Sequence, residues 1–361
     1  MLNMSDYQKR EDSSAPAVIV LLDANIWEKE RLLKSGLGTA LLFVVRQIRA
    51  TIALPEVTEM EIVHRIIDVG IEAVEKIESS FVTVQAITGF RPDYELPSRR
   101  ELEENVRKRL SELADLLYRV DLSIEQVKSS LRRVIEHTSP NKQRKEQFRD
   151  SLLWDVAVEF AHSSKVHFIT DDGDFFQDPK DRTVLANDLL REIKERDLKI
   201  QIHGDISSFL NLFSKHIRLP EPEVLANSIS EAIQDNLLQY ARERVFDLGG
   251  LESYEVESYL TEQKDMLAIT FTLRYNISDV QQADGTMLPN AFLSVNGDSL
   301  LNVETEEVSG IRLWEISCVR PNGELMPDKS LTYARMSGIV LGVRKIPYTL
   351  RRKLKDVLSQ D

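Results

Sequence analysis

Five consecutive β-branched or aliphatic residues, Val18-Ile19-Val20-Leu21-Leu22, end abruptly on Asp23. An apolar run without polar alternation is how a strand buried on both faces of a parallel sheet reads. Such a strand cannot stand alone, because parallel neighbours need crossover connections, usually helical, that cover the sheet. The next two hundred residues supply them. An apolar stretch of helical length at 39–48 leads to a second short strand at 51–54, closed by Pro55. A strong helix is predicted from about 57 to 77, with Ile62, Val63, Ile66, Ile67, Ala73, Val74 and Ile77 at helical spacing and Gly70 in the one gap of the stripe. A third strand is expected at 81–84. Helices are expected at 99–118, 122–137, 142–161, 183–195 and 206–216, and strands at 166–170 and 199–202. This alternation predicts an α/β fold with a mostly parallel sheet flanked by helices. Residues 91–140, highly charged and amphipathic, read as a helical insertion within it.

The pattern changes after Pro220-Glu221-Pro222, a boundary signal. A long helix at 223–246 is followed by 267–274, where apolar and polar residues alternate as in a half-buried strand. Further strands are expected at 291–295, 300–305, 311–319 and 332–343, with Asp284-Gly285, Asn296-Gly297 and Asn322-Gly323 as turn dipeptides. The expected organisation is a disordered polar tail at 1–16, a domain at 17–217, and a smaller, mainly antiparallel α+β domain at 221–361. A length of 361 residues fits two such domains.

Charge narrows the function. Against 46 Lys and Arg stand 59 Asp and Glu, a formal charge of −13. Such a chain binds polyanions poorly unless a local basic patch or a metal site helps it. The single cysteine, Cys318, excludes an internal disulfide framework and a Cys-rich zinc module, and points to a reducing, cytoplasmic compartment. No apolar run is long enough to span a bilayer, and the stretch 17–22 is too short for a signal peptide.

Carboxylates gather where the strands are expected to end. Asp23 follows the first strand, with Asn25 two residues on. Asp172 follows the strand at 166–170 within Thr170-Asp171-Asp172-Gly173-Asp174-Phe175. Glu61 lies early in the helix after the second strand, and Asp150 lies in the helix before the strand at 166–170. The carboxyl ends of parallel strands are where open α/β sheets bind ligands. Each Asp alone reads more readily as a turn or cap residue. The 171–174 string alone could bind one Ca²⁺, although it lacks EF-hand spacing and the terminal Glu. Together, bunched carboxylates repel unless a cation neutralises them, and oxygen-only ligands favour Mg²⁺ or Mn²⁺ over Zn²⁺. Two such ions can drive phosphodiester hydrolysis.

The order of these elements resembles the PIN-domain nuclease family, of the longer single-chain bacterial kind with a C-terminal extension. Leu22-Asp23-Ala24-Asn25-Ile26 is similar to its first motif. Val57-Thr58-Glu59-Met60-Glu61 resembles the second, whose Glu follows a Thr by three, and Asp150-Ser151-Leu152-Leu153-Trp154 the third. The fourth and most specific is Phe168-Ile169-Thr170-Asp171-Asp172-Gly173-Asp174-Phe175. The resemblance covers about 17–215. It implies a Rossmann-like sheet, Mg²⁺ or Mn²⁺ held by Asp23, Glu61, Asp150 and Asp172, with Asp23 as the bridge, and cleavage of RNA. Asp174 would ligate a second ion, hold a ligand water, or cap its loop. Asn25 and Thr170 would orient carboxylates or phosphate. The insertion departs from the family pattern, and the last domain has no counterpart in it.

A basic segment leads into Asp150: Lys128, Arg132, Arg133, Lys142, Arg144, Lys145 and Arg149, against Glu136 and Glu146. From it, Arg132, Arg133, Lys142, Arg144, Lys145 and Arg149 are the candidate nucleic-acid contacts; a solvated helix face is the plain alternative. A second basic run, from Arg344 to Lys355, ends the chain. Glu59 and Asp155 read as solvated or structural, Trp154 as packing, and His64 as a surface residue. Two other functions stay open: a catalytically silent scaffold that binds RNA or protein, and a nuclease acting on DNA or flaps. The C-terminal domain would sense a ligand, restrain the nuclease, or engage a protein partner or a second copy.

Overall fold

The computed structural model describes residues 16–90, 95–142, 145–179, 182–213, 222–278, 291–305 and 307–320, with the short pairs 280–281, 287–288, 339–340 and 344–345. Packing divides the chain into two compact units, 1–32 with 45–205 and 33–44 with 206–361. Among the described residues no helix is long and apolar enough to cross a membrane.

In the first unit, β1 (Val18–Leu22), β2 (Thr51–Pro55), β3 (Leu117–Val120), β4 (Lys165–Ile169) and β5 (Ile200–His203) form one sheet in the order β3-β2-β1-β4-β5. Every pair is parallel. Ile19, Val20, Leu21 and Leu22 are completely buried, as an unbroken apolar run requires. Between β1 and β2 in sequence run α1 (Ala24–Lys29) and α2 (Gly36–Gln47), and most of α2 belongs to the second unit. Then come α3 (Glu56–Thr88), α4 (Arg99–Glu112), α5 (Ile124–Ile135), α6 (Phe148–Ala161) and α7 (Asn187–Glu195). The chain steps outward from β1 to β2 and β3, then returns to β4 and continues to β5. The two halves therefore diverge between β1 and β4, the switch point at which a doubly wound sheet opens a crevice. Helix α6 is buried from Ser151 to Val158, while Phe148 and Arg149 in its first turn are exposed and Asp150 is half-buried.

Several elements differ from expectation. Residues 81–84 are not a strand; they continue α3, which stops only at Gly89, in the left-handed conformation with φ +73°. No Gly or Pro interrupts 71–88, and a four-residue apolar run does not distinguish strand from helix. The remaining strand is β3, inside the insertion, so this segment is not wholly helical and carries an edge of the parallel sheet. Helices α4 and α5 each open on a capping box, Ser98 with Glu101 and Ser123 with Gln126. Gly70 lets α4 approach α3: a Cβ there would stand 3.0 Å from Leu102. Helix α6 begins at Phe148 rather than 142, α7 at Asn187 rather than 183, and the short α1 was not anticipated.

The second unit holds α8 (Ile206–Phe213), α9 (Pro222–Arg244) and an antiparallel sheet. Its long strands are β6 (Asp247–Leu260), β7 (Met266–Ser278), β10 (Ala291–Asn302) and β11 (Glu307–Val319). The short β12 (Ile339–Val340) and β13 (Arg344–Lys345) both pair with β11, and β8 (Val280–Gln281) pairs with β9 (Met287–Leu288). Leu225, Ile229, Ile233 and Leu237 of α9 enter one core with Leu267, Ile269, Phe271, Leu273 and Leu293. Asn296-Gly297 is not a turn but a bulge within one continuous strand, where Gly297 admits the Phe271 ring and the Arg312 carbonyl. Strand β6, polar and glycine-containing, was not anticipated. Asp284-Gly285, Asn322-Gly323, most of 332–343, residues 1–15 and the basic run after Lys345 lie outside the described residues.

Candidate active site

The site is built at the switch point. The Asp23 amide donates to the Ile169 carbonyl at 3.1 Å, which locks the end of β1 to the end of β4. Asp23 holds the N-cap position of α1, yet its side chain makes no capping bond. Its Oδ2 instead accepts from Thr170 Oγ1 at 2.7 Å. The same Thr170 oxygen accepts from the Asp172 amide at 3.0 Å, and Asp172 Oδ1 accepts from the Asp174 amide at 2.8 Å. One relay thus fixes the four residues, with Thr170 completely buried and Asp23 7% exposed.

Glu61 arrives from α3 and accepts from Arg65 at 2.6 Å and from Arg149 at 2.8 Å. Asp150 arrives from the first turn of α6, where a negative charge also suits the helix dipole. Burial pushes the Asp23 carboxyl up to about 6; the Thr170 hydrogen bond opposes the rise, and Asp172, Asp171 and Glu61 add to it. Burial likewise pushes Asp150 up to about 7, helped by Asp23, Asp172 and Glu61 and opposed by Arg149. Asp23, Glu61, Asp150 and Asp172 therefore share one electrostatic field. Asp174 differs. Burial alone would raise it, but Lys142 at 2.6 Å, Lys145, and Gln147 Nε2 at 2.8 Å hold its carboxyl below the usual range. The Lys145 ammonium also feels the charges of Asp172 and Asp150.

Among the described residues no group of three or more His, Cys, Asp or Glu side chains is drawn together ready to hold a metal ion. The donor chemistry still fits a hard divalent cation. Every candidate ligand is an oxygen, two carboxyls are raised by burial and by neighbouring carboxylates, and the buried Asn25 Oδ1 accepts no hydrogen bond among the described residues.

The basic segment divides. Lys142, Lys145 and Arg149 lie on the acidic site, and Arg132 is exposed on α5. Arg133 goes elsewhere: it pairs with Asp155 at 3.0 Å and Glu192 at 2.7 Å, its side chain 14% exposed. It stitches α5 to α6 and α7 and is not a surface cation. Arg144 lies outside the described residues. Asp155 also accepts from Ser129 and Ser130, and Glu59 pairs with Arg119. His64 pairs with Asp68 on the surface of α3, and Trp154 is buried against Phe168. Arg65 and Gln147 were not among the sequence candidates. Arg65 was legible from its i,i+4 spacing to Glu61; no sequence signal connected Gln147 to Asp174.

The chain segment that carries this arrangement, residues 20–175, matches the family model of the PIN domain. This part of the chain is a PIN domain. The match begins inside β1 and ends at Phe175, so it contains Asp23, Glu61, Asp150, Asp172 and Asp174. PIN domains are in general nucleases that act on nucleic acids and typically use divalent metals. No curated protein and no solved structure matches the chain.

Proposed function

We propose that the PIN domain is a metal-dependent endoribonuclease whose Asp23, Glu61, Asp150 and Asp172 hold Mg²⁺ or Mn²⁺. The observation that carries this reading is the gathering of carboxyls at the switch point: Thr170 holds Asp23 at the end of β1, burial raises both Asp23 and Asp150, and Asp172 and Glu61 add to the rise at each. A bound divalent ion would supply Lewis acidity toward a phosphoryl oxygen and a water of lowered pKa. The chain's own contribution is orientation. Thr170 fixes Asp23, Asp172 caps the turn after β4, and Arg65 and Arg149 hold Glu61. The buried Oδ1 of Asn25 offers a further oxygen toward an ion or an ordered water. The substrate path we favour runs over Arg132, Lys142, Lys145 and Arg149, with Arg144 in the same stretch of sequence, because a phosphate backbone needs positive charge beside an acidic site.

A second reading, a catalytically silent scaffold, draws on the cations that already cover Glu61 and Asp174. For the whole protein we propose a cytoplasmic enzyme with its nuclease part at 17–217. Residues 221–361 then serve to engage a protein partner or a second copy. The test is cleavage of labelled RNA and DNA of the same sequence with Mn²⁺, Mg²⁺ or EDTA, beside Asp172→Asn. Internal RNA cuts that require metal and vanish in the variant support the enzyme; cutting of DNA alone moves it to the deoxyribonucleases. No cutting, with RNA binding intact, supports the scaffold.

A further inference from the structure

Asp174 stands apart from its acidic neighbours because both of its oxygens are already committed. Oδ1 takes the Lys142 ammonium, and Oδ2 takes the Lys145 ammonium and the Gln147 amide. The three donors come from one short segment built to present them. Asn141, buried, fixes that segment: its Oδ1 accepts from the Gln147 amide at 2.6 Å, and its Nδ2 donates to Ser151 Oγ at 2.8 Å and to the Thr138 carbonyl at 3.1 Å. Lys142 and Lys145 exchange two backbone hydrogen bonds of 3.0 Å, so their stems leave a fixed base side by side. Their tips are then gathered by one carboxylate.

We propose that Asp174 is the positioning residue of a two-lysine clamp, not a metal ligand, and that Lys142 and Lys145 bind a backbone phosphate of the nucleic-acid substrate beside the acidic site. Three points of chemistry lead there. An ion on Asp174 would have to displace an ammonium and then face two of them at close range. Two ammonium groups on one carboxylate leave that triplet one positive charge, a cationic edge to the Asp172 and Asp150 carboxyls on which a phosphate can rest. Each ammonium has three donors, and their side chains are 53% and 57% exposed while Asp174 is 8% exposed, so donors remain on the solvent side. The clamp rests on the nuclease reading above and adds to it a substrate contact and a role for Asp174.

The test uses the full chain with a 5′-fluorescein single-stranded RNA in EDTA, so that binding is read without cleavage, and Mn²⁺ calorimetry without RNA. Lys142→Ala/Lys145→Ala should weaken RNA binding about tenfold and flatten the log–log salt slope by about 0.7–1.4, the counterion release of one or two phosphates. Lys145→Arg should keep most of the affinity, which separates lost charge from a misfolded segment. Asp174→Asn should bind Mn²⁺ and RNA as the wild type does, yet lower kcat at least tenfold, because the lysines remain charged but are no longer aimed. A tenfold loss of Mn²⁺ affinity in Asp174→Asn, or wild-type affinity and salt slope in the double lysine variant, overturns the clamp. The nuclease reading fails separately, if the wild type itself neither binds Mn²⁺ nor cuts either nucleic acid.

Discussion

Thr170 and Asp23 meet at 2.7 Å across the ends of two adjacent parallel strands, hydroxyl to carboxylate, in the interior of the first unit. The contact explains why an N-cap aspartate leaves its own helix uncapped: its carboxylate is held toward the switch point instead.

Removing that hydroxyl tests the relay. Thr170→Val strips a buried hydrogen bond from Asp23 and an acceptor from the Asp172 amide. The expected cost is about 1.5–3 kcal/mol in urea unfolding, as for bonds to charged groups. Mn²⁺ affinity should fall roughly 10–100-fold, as when a ligand loses its orienting partner. Thr170→Ser should recover most of both. Wild-type Mn²⁺ affinity in Thr170→Val would show that the hydroxyl only supports the strand ends.

The raised carboxyls make a pH prediction for metal-free protein. Asp23 and Asp150 titrate at about 6 and about 7 when folded, against 3.8 when free, so the folded state holds their protons more tightly. That stabilisation is full below pH 3.8 and is lost as pH rises through about 6 and 7. Buried His167 acts in the opposite sense: burial and His203 lower it to about 4 from 6.5, so its contribution is present above 6.5 and lost as pH falls toward 4. Above pH 6.5 the opposing effect of His167 fades, because folded His167 is already neutral and less than half of the unfolded imidazole stays protonated. In EDTA the melting temperature should therefore fall between pH 6.5 and 8, and less so in Asp150→Asn. A flat profile in the wild type over that range would contradict the elevation of Asp150.

Arg133 gives a structural control. Its removal leaves buried Asp155 without its cation, a change that costs up to about 3–5 kcal/mol in buried pairs, whereas half-buried Glu192 keeps Arg196 at 2.9 Å and the Trp154 indole. Arg133→Met should lower stability by up to that amount while RNA affinity of the folded protein stays within about twofold. A selective loss of RNA binding, with stability unchanged, would return Arg133 to the substrate path.

The bulge at Gly297 tests the second unit. A Cβ there would collide with the Arg312 carbonyl and the Phe271 ring, neither of which is a flexible side-chain end. Gly297→Ala should cost about 1–3 kcal/mol, the range for overpacking. Thermal unfolding of the full chain should show it, and an unchanged melting temperature would mean that the bulge opens freely.

Much of this architecture was legible because burial leaves a plain trace. Val18–Leu22, fully apolar, announced a central strand, and Asp23 marked its end. The motif after β4 was equally plain, since Thr170, Asp172 and Asp174 lie within five residues. The edge strands β3 and β6 left no such trace, unlike β5, which was expected at 199–202. In β3, Tyr118 and Arg119 are exposed, and β6 is polar along much of its length; neither shows the apolar run of a central strand. Asn296-Gly297 misled because the same dipeptide serves a hairpin turn and a bulge, and only the strand pairing on both sides distinguishes them. The fate of Arg133 was hidden for a similar reason: the basic run is visible in sequence, but its carboxylate partners come from α6 and from α7, 22 and 59 residues away.

The central claim is that Asp23, Glu61, Asp150 and Asp172 form one divalent-ion site at the switch point. Mn²⁺ titration by calorimetry of the metal-free full chain at a pH of about 6, where both raised carboxyls still hold protons, beside Asp23→Asn and Asp150→Asn, tests it most directly. The account predicts saturable binding with proton release in the wild type, because raised carboxyls must deprotonate to ligate. It predicts affinity at least tenfold weaker in each variant. No saturable heat up to millimolar Mn²⁺, or binding that neither variant alters, would contradict it.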